Sequence, residues 1–529
     1  MPGIQWLLLG IGVALLYLLS ILIPLAIIVF LAVILIRAIA FRPKPQPKAD
    51  ESPVTFDKDA AVDALRELVT CKTVSYMDPD SEDDAEFEKL ISKLPVLYPH
   101  VFEACEFTRL PDRGLLFRWK GKTQGDPAVL MAHYDVVPVD ESGWDKPAFE
   151  GVIADGCLWG RGTLDTKGTV NGVLFSANHL IAEGFTPDND IYFAFSGGEE
   201  VNGRGAVHIV DYFEKMGIEP AFVLDEGGAV VEDVFPGVKS PCGLIGIAEK
   251  GMMNVRYTAK SQGGHASAPK PNAPVDRLSR ACSRVVSRPR KIALTPPAAL
   301  MFDTLGRYST FAYRVIFSNI KLFLPVLSLI TKKSGGELNA LLRTTVAFTQ
   351  MQGSSAPNVI PPEASMVSNI RLNPADSMDS MLAYLKKTVD DEGVEITVEG
   401  GPRDTNQSAF ESKGSRVEED PSSKHEEPSS QSRGSNFNPS RISTTDSEGW
   451  NTVASAVAST WKGCIVSPYL MVQCSDSRHY GRISDKVYRF SAMDLTAAER
   501  ATIHGHNERV RLEAIERTVE FYIRLMKNC

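Results

Sequence analysis

The sequence predicts an α/β protein in which helices cover a sheet, with a second unit after it and a membrane helix before it. Three observations support this prediction. Strand and helix patterns alternate from Lys58 to about Ala248, as expected for a helix-covered sheet. At Gly251 a new unit opens, and its first strand is predicted over Met252 to Ala259. At the N-terminus, Ile4 to Ile36 contain no charged side chain.

The uncharged N-terminal stretch predicts a single-pass membrane anchor over residues 1–41. As a helix, Ile4 to Ile36 would be about 50 Å long, against roughly 30 Å of bilayer hydrocarbon, so we expect tilt, or a kink at Pro24. A cleaved signal peptide and a hairpin of two short spans are the alternatives, but the stretch is too long for a signal peptide and no basic residue precedes it. The basic residues after the anchor favour the cytoplasmic side for the rest of the chain.

The remaining boundaries follow from shifts in composition. We predict an extended Pro-rich linker that lifts the protein off the membrane (42–57), a first globular part (58–249), a second unit (250–400) and a second globular part (442–529). Within the second unit, residues 296–345 form an apolar helical insertion, buried or facing lipid, with helical material from Phe311 to Thr331. Residues 402–441 are rich in Ser, Glu, Lys and Pro and are predicted to be a disordered loop.

Two further helices frame the first and last parts of the fold. A helix is predicted over Thr169 to Glu183, directly after a Gly-rich loop. A final helix is predicted from about Glu508 to Met526.

Composition narrows the function classes. A chain of 529 residues with 43% hydrophobic and 23% charged residues is expected to form two or three globular domains. Because the net charge is −9 and the sequence has no basic patch interleaved with aromatic residues, we predict that the protein does not bind nucleic acid. The eight cysteines are scattered without a Cys-x-x-Cys, which indicates neither a disulfide framework nor a cysteine zinc site.

Histidines and acids recur in five short strings that carry the chemistry. The strings are Met-Ala-His133-Tyr-Asp135, Gly-Arg-Gly-Thr-Leu-Asp165, Ser-Gly-Gly-Glu199-Glu200, Val-Leu-Asp225-Glu-Gly-Gly and Ile-His504-Gly-His-Asn-Glu. Taken alone, each string also has a structural explanation: a buried histidine with its hydrogen bonds satisfied, a pair of solvated surface acids, or a turn. Several follow β-rich apolar runs, however, and α/β sheets bind ligands at the carboxyl ends of strands. Imidazole and carboxylate ligands favour zinc, and their number favours two ions sharing a carboxylate. The sequence therefore predicts a metal-dependent hydrolase.

Together these strings resemble the aminoacylase/carboxypeptidase family of cocatalytic zinc peptidases. The resemblance extends from about residue 59 to the C-terminus, except for the Ser/Glu-rich loop, and is strongest to the long membrane-associated or secreted branch of carboxypeptidases and N-fatty-acyl-amino-acid hydrolases. It implies a dizinc aminopeptidase-like catalytic domain with helices on both faces of a mixed sheet. It also implies that residues 250–400 form an inserted α+β dimerisation or lid domain, through which a homodimer could form.

The resemblance assigns a role to each candidate residue. Two Zn²⁺ per chain, with Co²⁺ or Mn²⁺ as substitutes, would be held by His133, Asp165, Glu200, Asp225 and His504, and Asp165 would bridge them. Asp135 would orient the His133 imidazole. Glu199 would be the general base. His265, from this chain or from a partner subunit, would help to stabilise the oxyanion. Asn358, Arg371 and Arg478 would bind substrate, with a surface ion pair as the alternative for Arg478.

The expected activity is hydrolysis of the amide bond next to an amino acid with a free carboxylate, in a small peptide or an N-acyl amino acid. A membrane anchor and an apolar insertion suit a lipid-like acyl group. Two alternatives are a non-catalytic scaffold or binding protein that retains the fold, and a peptidase with a single metal ion.

Overall fold

The computed structural model describes residues 2–399 and 437–529. The strands are β1 (Cys105–Leu110), β2 (Gly114–Trp119), β3 (Ala128–His133), β4 (Val152–Ala154), β5 (Cys157–Trp159), β6 (Ile191–Ser196), β7 (Phe222–Val231), β8 (Cys242–Glu249), β9 (Gly251–Lys260), β10 (Gly264–His265), β11 (Thr345–Gln352), β12 (Val359–Ile360), β13 (Glu363–Leu372), β14 (Val394–Val398), β15 (Ile465–Met471), β16 (Val487–Leu495) and β17 (Arg509–Arg511). The helices are α1 (Pro2–Ala40), α2 (Lys58–Val69), α3 (Asp84–Leu97), α4 (Pro99–Ala104), α5 (Lys167–Ala182), α6 (Gly205–Met216), α7 (Pro274–Ser287), α8 (Pro296–Gly306), α9 (Phe311–Phe317), α10 (Ile320–Ser334), α11 (Gly336–Leu342), α12 (Met378–Val389), α13 (Glu448–Thr460), α14 (Ala497–Arg500) and α15 (Leu512–Met526).

The larger sheet has eight strands in the order β1-β2-β6-β3-β7-β16-β8-β15. Strand β3 is parallel to β6 and β7, whereas β1 and β2 form an antiparallel edge, so the sheet is mixed. Helices α2, α5, α13 and α15 cover one face, and α6 and α8 cover the other. Along β3, Ala128 and Leu130 are buried in the core on the side of α5 and α15, and Val129 and Met131 are buried in the core on the side of α6, as the two-residue repeat of a strand requires. The predicted mixed α/β fold is confirmed.

A smaller antiparallel sheet, in the order β11-β13-β9-β14, packs against α7 and α12 around a core of its own. Its strand β9 contains the stretch predicted as Met252 to Ala259. This α+β unit begins at Gly251, and β8 ends at Glu249, so the two sheets are joined by a single residue, Lys250.

The apolar insertion, predicted over residues 296–345 within the second unit, packs in part against the larger sheet. On α8, Met301, Phe302 and Leu305 are buried in one cluster with Leu244 and Tyr469 of the larger sheet. The helical stretch that begins at Phe311 is also not continuous, because α9 and α10 meet at a bend of 102°. The apolar side chains of α8 are buried because that face of the larger sheet is itself apolar and needs cover.

The N-terminal helix α1 is continuous through Pro24, which excludes a hairpin of two spans. Its stretch Leu8–Ala40 is long and apolar enough to cross a membrane, with a mean hydropathy of 3.2. The predicted extended linker after it has neither helix nor strand, but it contacts the larger domain. The backbone N–H of Val466 donates to Gln46 Oε1 (2.9 Å), and Arg524 donates to the carbonyl oxygens of residues 50 and 52, so the linker lies along the larger domain.

The predicted disordered loop lies outside the described residues up to position 436. Its last part is ordered, since Phe437 is buried and pairs with Met252 through backbone hydrogen bonds of 2.8 and 3.0 Å. Burial of the apolar Phe437 side chain stabilises the ordered conformation of this end of the segment. The final helix begins at Leu512 and not at Glu508, because β17 first pairs with β5. All eight cysteines are free.

Candidate metal centre and catalytic site

The sheet brings the first ligand candidates together at one edge. His133 is the last residue of β3 and lies opposite Ser196, the last residue of the parallel strand β6. Two glycines then turn the chain into Glu199 and Glu200. Since the carboxyl ends of parallel neighbours meet at one edge, His133 and this acidic pair share a crevice. Asp165 reaches the same place from the loop before α5.

Two groups of three ligand atoms share Asp165. His133, Asp165 and Glu226 form one group, and Asp165, Glu200 and His504 form the other, with all ligand atoms of a group within 4.8 Å of one another. Asp165 Oδ1 lies 2.9 Å from His133 Nε2, and Asp165 Oδ2 lies 3.0 Å from His504 Nε2. His504 Nε2 also lies 3.1 Å from Glu200 Oε2. The carboxylate of Asp165 thus offers one oxygen to each group, as a bridging ligand would.

The structure brings Glu226 into this cluster, directly after Asp225, the residue that the resemblance assigned as a ligand. Both residues lie within β7, where the pairing with β16 shifts in register between Asp225 and Gly228. Glu226 Oε1 lies 3.4 Å from His133 Nε2. Asp225 is buried, and its Oδ2 accepts a hydrogen bond from the backbone N–H of Ser477 (2.9 Å).

Asp135 links the histidine to the acidic pair. His133 Nδ1 lies 3.0 Å from the carbonyl oxygen of Asp135 and 3.4 Å from its Oδ1, so an Nδ1–H leaves Nε2 facing the cluster. The two carboxylate oxygens of Asp135 accept the backbone N–H groups of Glu199 and Glu200 at 3.1 and 3.2 Å. One buried carboxylate therefore sets both the imidazole and the acidic turn.

Glu199 and Arg478 face each other in the interior. Burial raises the pKa of Glu199 well above its ordinary value, and neighbouring acids add to the effect. Arg478 Nη1 lies 4.0 Å from Glu199 Oε1, and its Nη2 donates to Asn202 Oδ1 (3.0 Å). The guanidinium is buried and stacks over Phe437 at 4.6 Å, so the surface ion pair considered as an alternative is wrong.

Glu508 organises the loop that carries Asp165, a role that the sequence did not reveal. The carboxylate is fully buried, pairs with Arg161 at 2.6 Å, and accepts the backbone N–H groups of Gly162 and Leu164 at 3.0 and 2.8 Å. It lies four residues after His504 in the same C-terminal string, and that proximity was the available signal. His504 itself has a positive φ of 59°, a left-handed conformation that is uncommon outside glycine and that often marks functional sites.

The donor set fits a pair of divalent cations. Burial raises the pKa of Glu200 to about 7 and that of Glu226 to about 8, which shows how strongly this pocket disfavours uncompensated negative charge. Burial also raises the pKa of Asp165, but hydrogen bonds with His133 and His504 outweigh it and hold that pKa below its usual range. Glu200 Oε1 is buried without a hydrogen-bond partner in the described part of the chain. Two imidazoles and three carboxylates match the ligands that zinc and its neighbours prefer.

A cavity of about 570 Å³ opens onto this centre. Asp165, Glu199 and Glu200 form its polar end, and the apolar side chains that line it include Ala229, Val231, Leu244, Met471, Leu495 and Ile503. Cys474 also lines the cavity, and Arg371 Nη1 donates to its Sγ (3.2 Å). Within the described ranges no carboxylate pairs with Arg371, whose Nε donates to Asn369 (3.1 Å).

His265 and Asn358 lie together but away from this cavity. His265 pairs with Val359 in the short pairing of β10 with β12, Asn358 directly precedes β12, and the backbone N–H of Ala266 donates to the Asn358 carbonyl oxygen (2.9 Å). His265 is exposed. Neither of the two is among the described residues that line the cavity, and Arg371 and Arg478 are also absent from that lining.

The fold and this centre define a class. A mixed α/β sheet with two histidines, a carboxylate shared by two ligand groups and a buried glutamate gathered at one edge is typical of metal-dependent hydrolases.

The chain belongs to peptidase family M20/M25/M40, because the sequence model of that family matches residues 129–528. It is therefore a hydrolase that acts on amide bonds, of a metal-dependent family, and not a scaffold that merely shares the fold. It is 33% identical over 475 residues to a probable carboxypeptidase S-like protein of Dictyostelium discoideum, with 88% of this chain and 84% of the relative covered. It is 32% identical over 481 residues to the N-fatty-acyl-amino acid synthase/hydrolase PM20D1 of Xenopus tropicalis, with 89% and 86% covered.

Solved structures show the same fold. An M20 family metallo-carboxypeptidase from Sulfolobus solfataricus has a TM-score of 0.61 at 17% identity, covering 88% of this chain and 98% of that one. A Bacillus subtilis protein described as a dinuclear metal binding peptidase of the M20 family has a TM-score of 0.51 at 13% identity, covering 89% and 97%.

Proposed function

We propose that this protein is a two-metal amidohydrolase that releases an amino acid with a free carboxylate from an N-acyl amino acid. The observation that carries the proposal is the pair of ligand groups that share Asp165 beside the buried Glu199. A set of ligands for one ion would not need a carboxylate with one oxygen directed to each side. Zinc is the proposed metal because of the imidazole and carboxylate donors.

The chemistry assigned to this chain's own residues is proton transfer and positioning. A pair of divalent cations supplies a water molecule of lowered pKa and polarises the amide carbonyl. Glu199 accepts the proton of the attacking water and returns it to the amide nitrogen as the C–N bond breaks, leaving a carboxylate and an amine. Its raised pKa suits both steps, since the group must hold a proton between them. Arg478 and Asp135 keep Glu199 in place through the contacts described above.

The substrate proposal depends on Arg371, which contacts the cavity residue Cys474, and on the apolar walls of the cavity. Arg371 offers a guanidinium without an acidic partner in the described ranges, which suits the free carboxylate of the amino acid. The apolar walls suit the hydrocarbon of an acyl group. The name of the Xenopus relative favours an N-fatty-acyl amino acid, and that of the Dictyostelium relative favours a peptide. A short apolar peptide is therefore the second candidate substrate.

The decisive test replaces the proposed base while leaving the metal ligands intact. Glu199→Gln should retain two metal ions per chain, measured by elemental analysis, and lose turnover of N-acyl amino acids by about 10²–10⁴-fold. Glu103→Gln is the matched control, since that glutamate is exposed and distant in sequence from every site residue. Unchanged turnover in Glu199→Gln would remove the mechanism, and one ion per chain in the parent protein would favour a single-metal peptidase.

We also propose that His265 and Asn358 complete the site from the smaller domain, either after domain closure or from a second subunit of a homodimer. A mixing experiment separates the two routes. If His265 acts across a dimer, inactive His265→Ala and inactive Glu199→Gln proteins should regain activity when mixed and reassembled. Activity that stays absent in verified mixed dimers would support action within one chain.

Helix α1 is proposed to be a membrane anchor, with the larger domain on the cytoplasmic side because basic residues follow the helix. Protease digestion of sealed vesicles tests the side. Full protection of the catalytic domain in vesicles whose cytoplasmic face is outward would overturn the orientation.

A further inference from the structure

The clearest feature that the proposed chemistry does not use is an exposed apolar face on α10. Leu322, Val326, Leu329 and Ile330 are exposed by 48, 51, 72 and 53%. Their spacing of i, i+4, i+7 and i+8 places them on one side of the helix. On a protein surrounded only by water, such a stripe would expose apolar area without compensation, and larger patches of this kind mark interaction sites.

Helix α9 extends this surface with further exposed apolar rings. Phe311 and Tyr313 are exposed by 50 and 42%, whereas Phe317 and Asn319, at the junction with α10, are buried against the protein. The two helices bend by 102° at their junction. The 15 residues of α10 reach only about 22 Å, which is less than the roughly 30 Å of bilayer hydrocarbon. This geometry suits a helix pair that lies in one leaflet and does not cross.

The surface is continuous with α1. Asn319 Nδ2 donates to the carbonyl oxygen of Ile34 (3.3 Å), and Arg314 donates to that of Ala38 (3.0 Å). Ile34 and Ala38 are buried by this packing, whereas the most apolar window of α1 is fully exposed. The linker then lies along the larger domain, so the α9–α10 pair is held close to the point where α1 would leave a membrane.

The charge of α9 and α10 favours lipid, and not a second copy of this chain, as the partner of this apolar face. From Phe311 to Ser334 the sequence has four basic residues, Arg314, Lys321, Lys332 and Lys333, and no acidic one. Phospholipid phosphates complement such a helix. A symmetric dimer through the same face would instead place the basic side chains of one copy against those of the other.

This element is also joined to the cavity. Helix α11 follows α10 directly, and its residues Gly336, Glu337 and Ala340 line the cavity that holds Glu199. Glu337 accepts a hydrogen bond from the Tyr469 hydroxyl (3.2 Å), which fixes α11 to the larger sheet. A membrane-seated α10 would therefore bring one wall of the cavity to the lipid surface.

We propose that α9 and α10 form a second membrane-contacting element, lying in the interface of the bilayer that holds α1, and that long-chain N-acyl substrates reach the cavity from the lipid along α11. The second half of this proposal rests on the proposed function. The first half rests on this surface and on the proposed membrane anchor α1, and not on the proposed activity.

Photo-crosslinking tests the membrane contact independently of activity. The full-length protein in phospholipid nanodiscs carries p-benzoylphenylalanine in place of Val326 or Leu329, and irradiation products are identified by mass spectrometry. Control positions are Val96 on α3 and Met216 on α6, which are exposed by 79 and 56% but belong to other surfaces. Lipid adducts at Val326 and Leu329 should exceed those at the controls by at least about tenfold. Adducts to a second protein chain, or lipid adducts no more frequent than at the controls, would overturn the proposal.

Kinetics test the access route. In nanodiscs, a Leu329→Asn, Ile330→Asn double variant should raise KM for a long-chain N-acyl amino acid and leave the turnover of a short, water-soluble N-acetyl amino acid within about twofold of the parent. The short substrate also verifies folding. An unchanged KM for the long substrate would overturn the access route alone. If the parent protein hydrolyses no N-acyl amino acid, the proposed function fails, and the lipid adducts still decide the membrane contact.

Discussion

Glu226 and Asp225 form a matched pair of neighbours that can test the metal centre directly. Glu226→Gln and Asp225→Asn each replace one carboxylate oxygen by an amide nitrogen with almost no change in volume. Glu226 faces His133 Nε2 at 3.4 Å, whereas Asp225 faces the backbone N–H of Ser477. The first substitution should therefore remove a metal ligand, and the second should only weaken a supporting hydrogen bond.

The expected magnitudes differ for the same reason. Loss of a supporting partner typically costs about 10–100-fold in metal affinity. Loss of a direct carboxylate ligand should exceed that range, so Glu226→Gln should weaken one of the two ions by more than about 100-fold, or more than about 2.7 kcal/mol. The other ion keeps Asp165, Glu200 and His504 and should bind as in the parent.

Titration calorimetry on metal-free protein, with elemental analysis after dialysis, measures both quantities. Glu226→Gln should show one strong and one weakened site, and Asp225→Asn should retain two ions. The opposite pattern, with one ion lost in Asp225→Asn and two retained in Glu226→Gln, would refute the ligand set inferred from the geometry of β7.

Three other predictions follow from the same contacts. Glu508→Ala leaves the buried guanidinium of Arg161 without its partner and should lower the free energy of unfolding by about 3–5 kcal/mol in urea titrations; a loss under about 1 kcal/mol would contradict the role given to Glu508. Arg371→Lys keeps the charge but not the planar fork, so KM for substrates with a free carboxylate should rise at least about tenfold, while the matching carboxamide substrates should be turned over no worse. Burial lowers the pKa of Lys250 from 10.5 to about 7. Between those pH values the unfolded chain therefore binds a proton that the folded chain lacks, so the free energy of unfolding should rise with pH. Lys250→Met should flatten that rise, and a pH slope equal to that of the parent protein would contradict the prediction.

The sequence located most of the metal centre because its signals are local. His133, Asp165 and Glu200 each follow a strand or a Gly-rich loop, and such positions at strand ends are where α/β sheets hold ligands. The choice between Asp225 and Glu226 was beyond it. Both acids are adjacent in one string, and only the local backbone of β7, where its pairing with β16 is irregular, brings Glu226 to 3.4 Å from His133.

Long-range packing explains the other differences. Composition marked residues 42–57 as a spacer, yet Gln46 and its neighbours find partners on the larger domain. The apolar content of α8 identified a helix that needs cover, but it could not tell which of two cores supplies it. Phe437, at the end of a polar segment, is ordered because its backbone pairs with Met252 and its ring packs against the Arg478 guanidinium.

By itself the sequence determined the α/β class, the apolar N-terminal helix and the residue types of the centre, since these depend on periodicity and on chemistry carried by short strings. Only the tertiary structure decided that Asp165 offers one oxygen to each ligand group, that Glu508 supports its loop, and that α9 and α10 lie beside α1. Those features join residues that are far apart along the chain, and the physical reason is that their distances are set by the packing of whole sheets and helices.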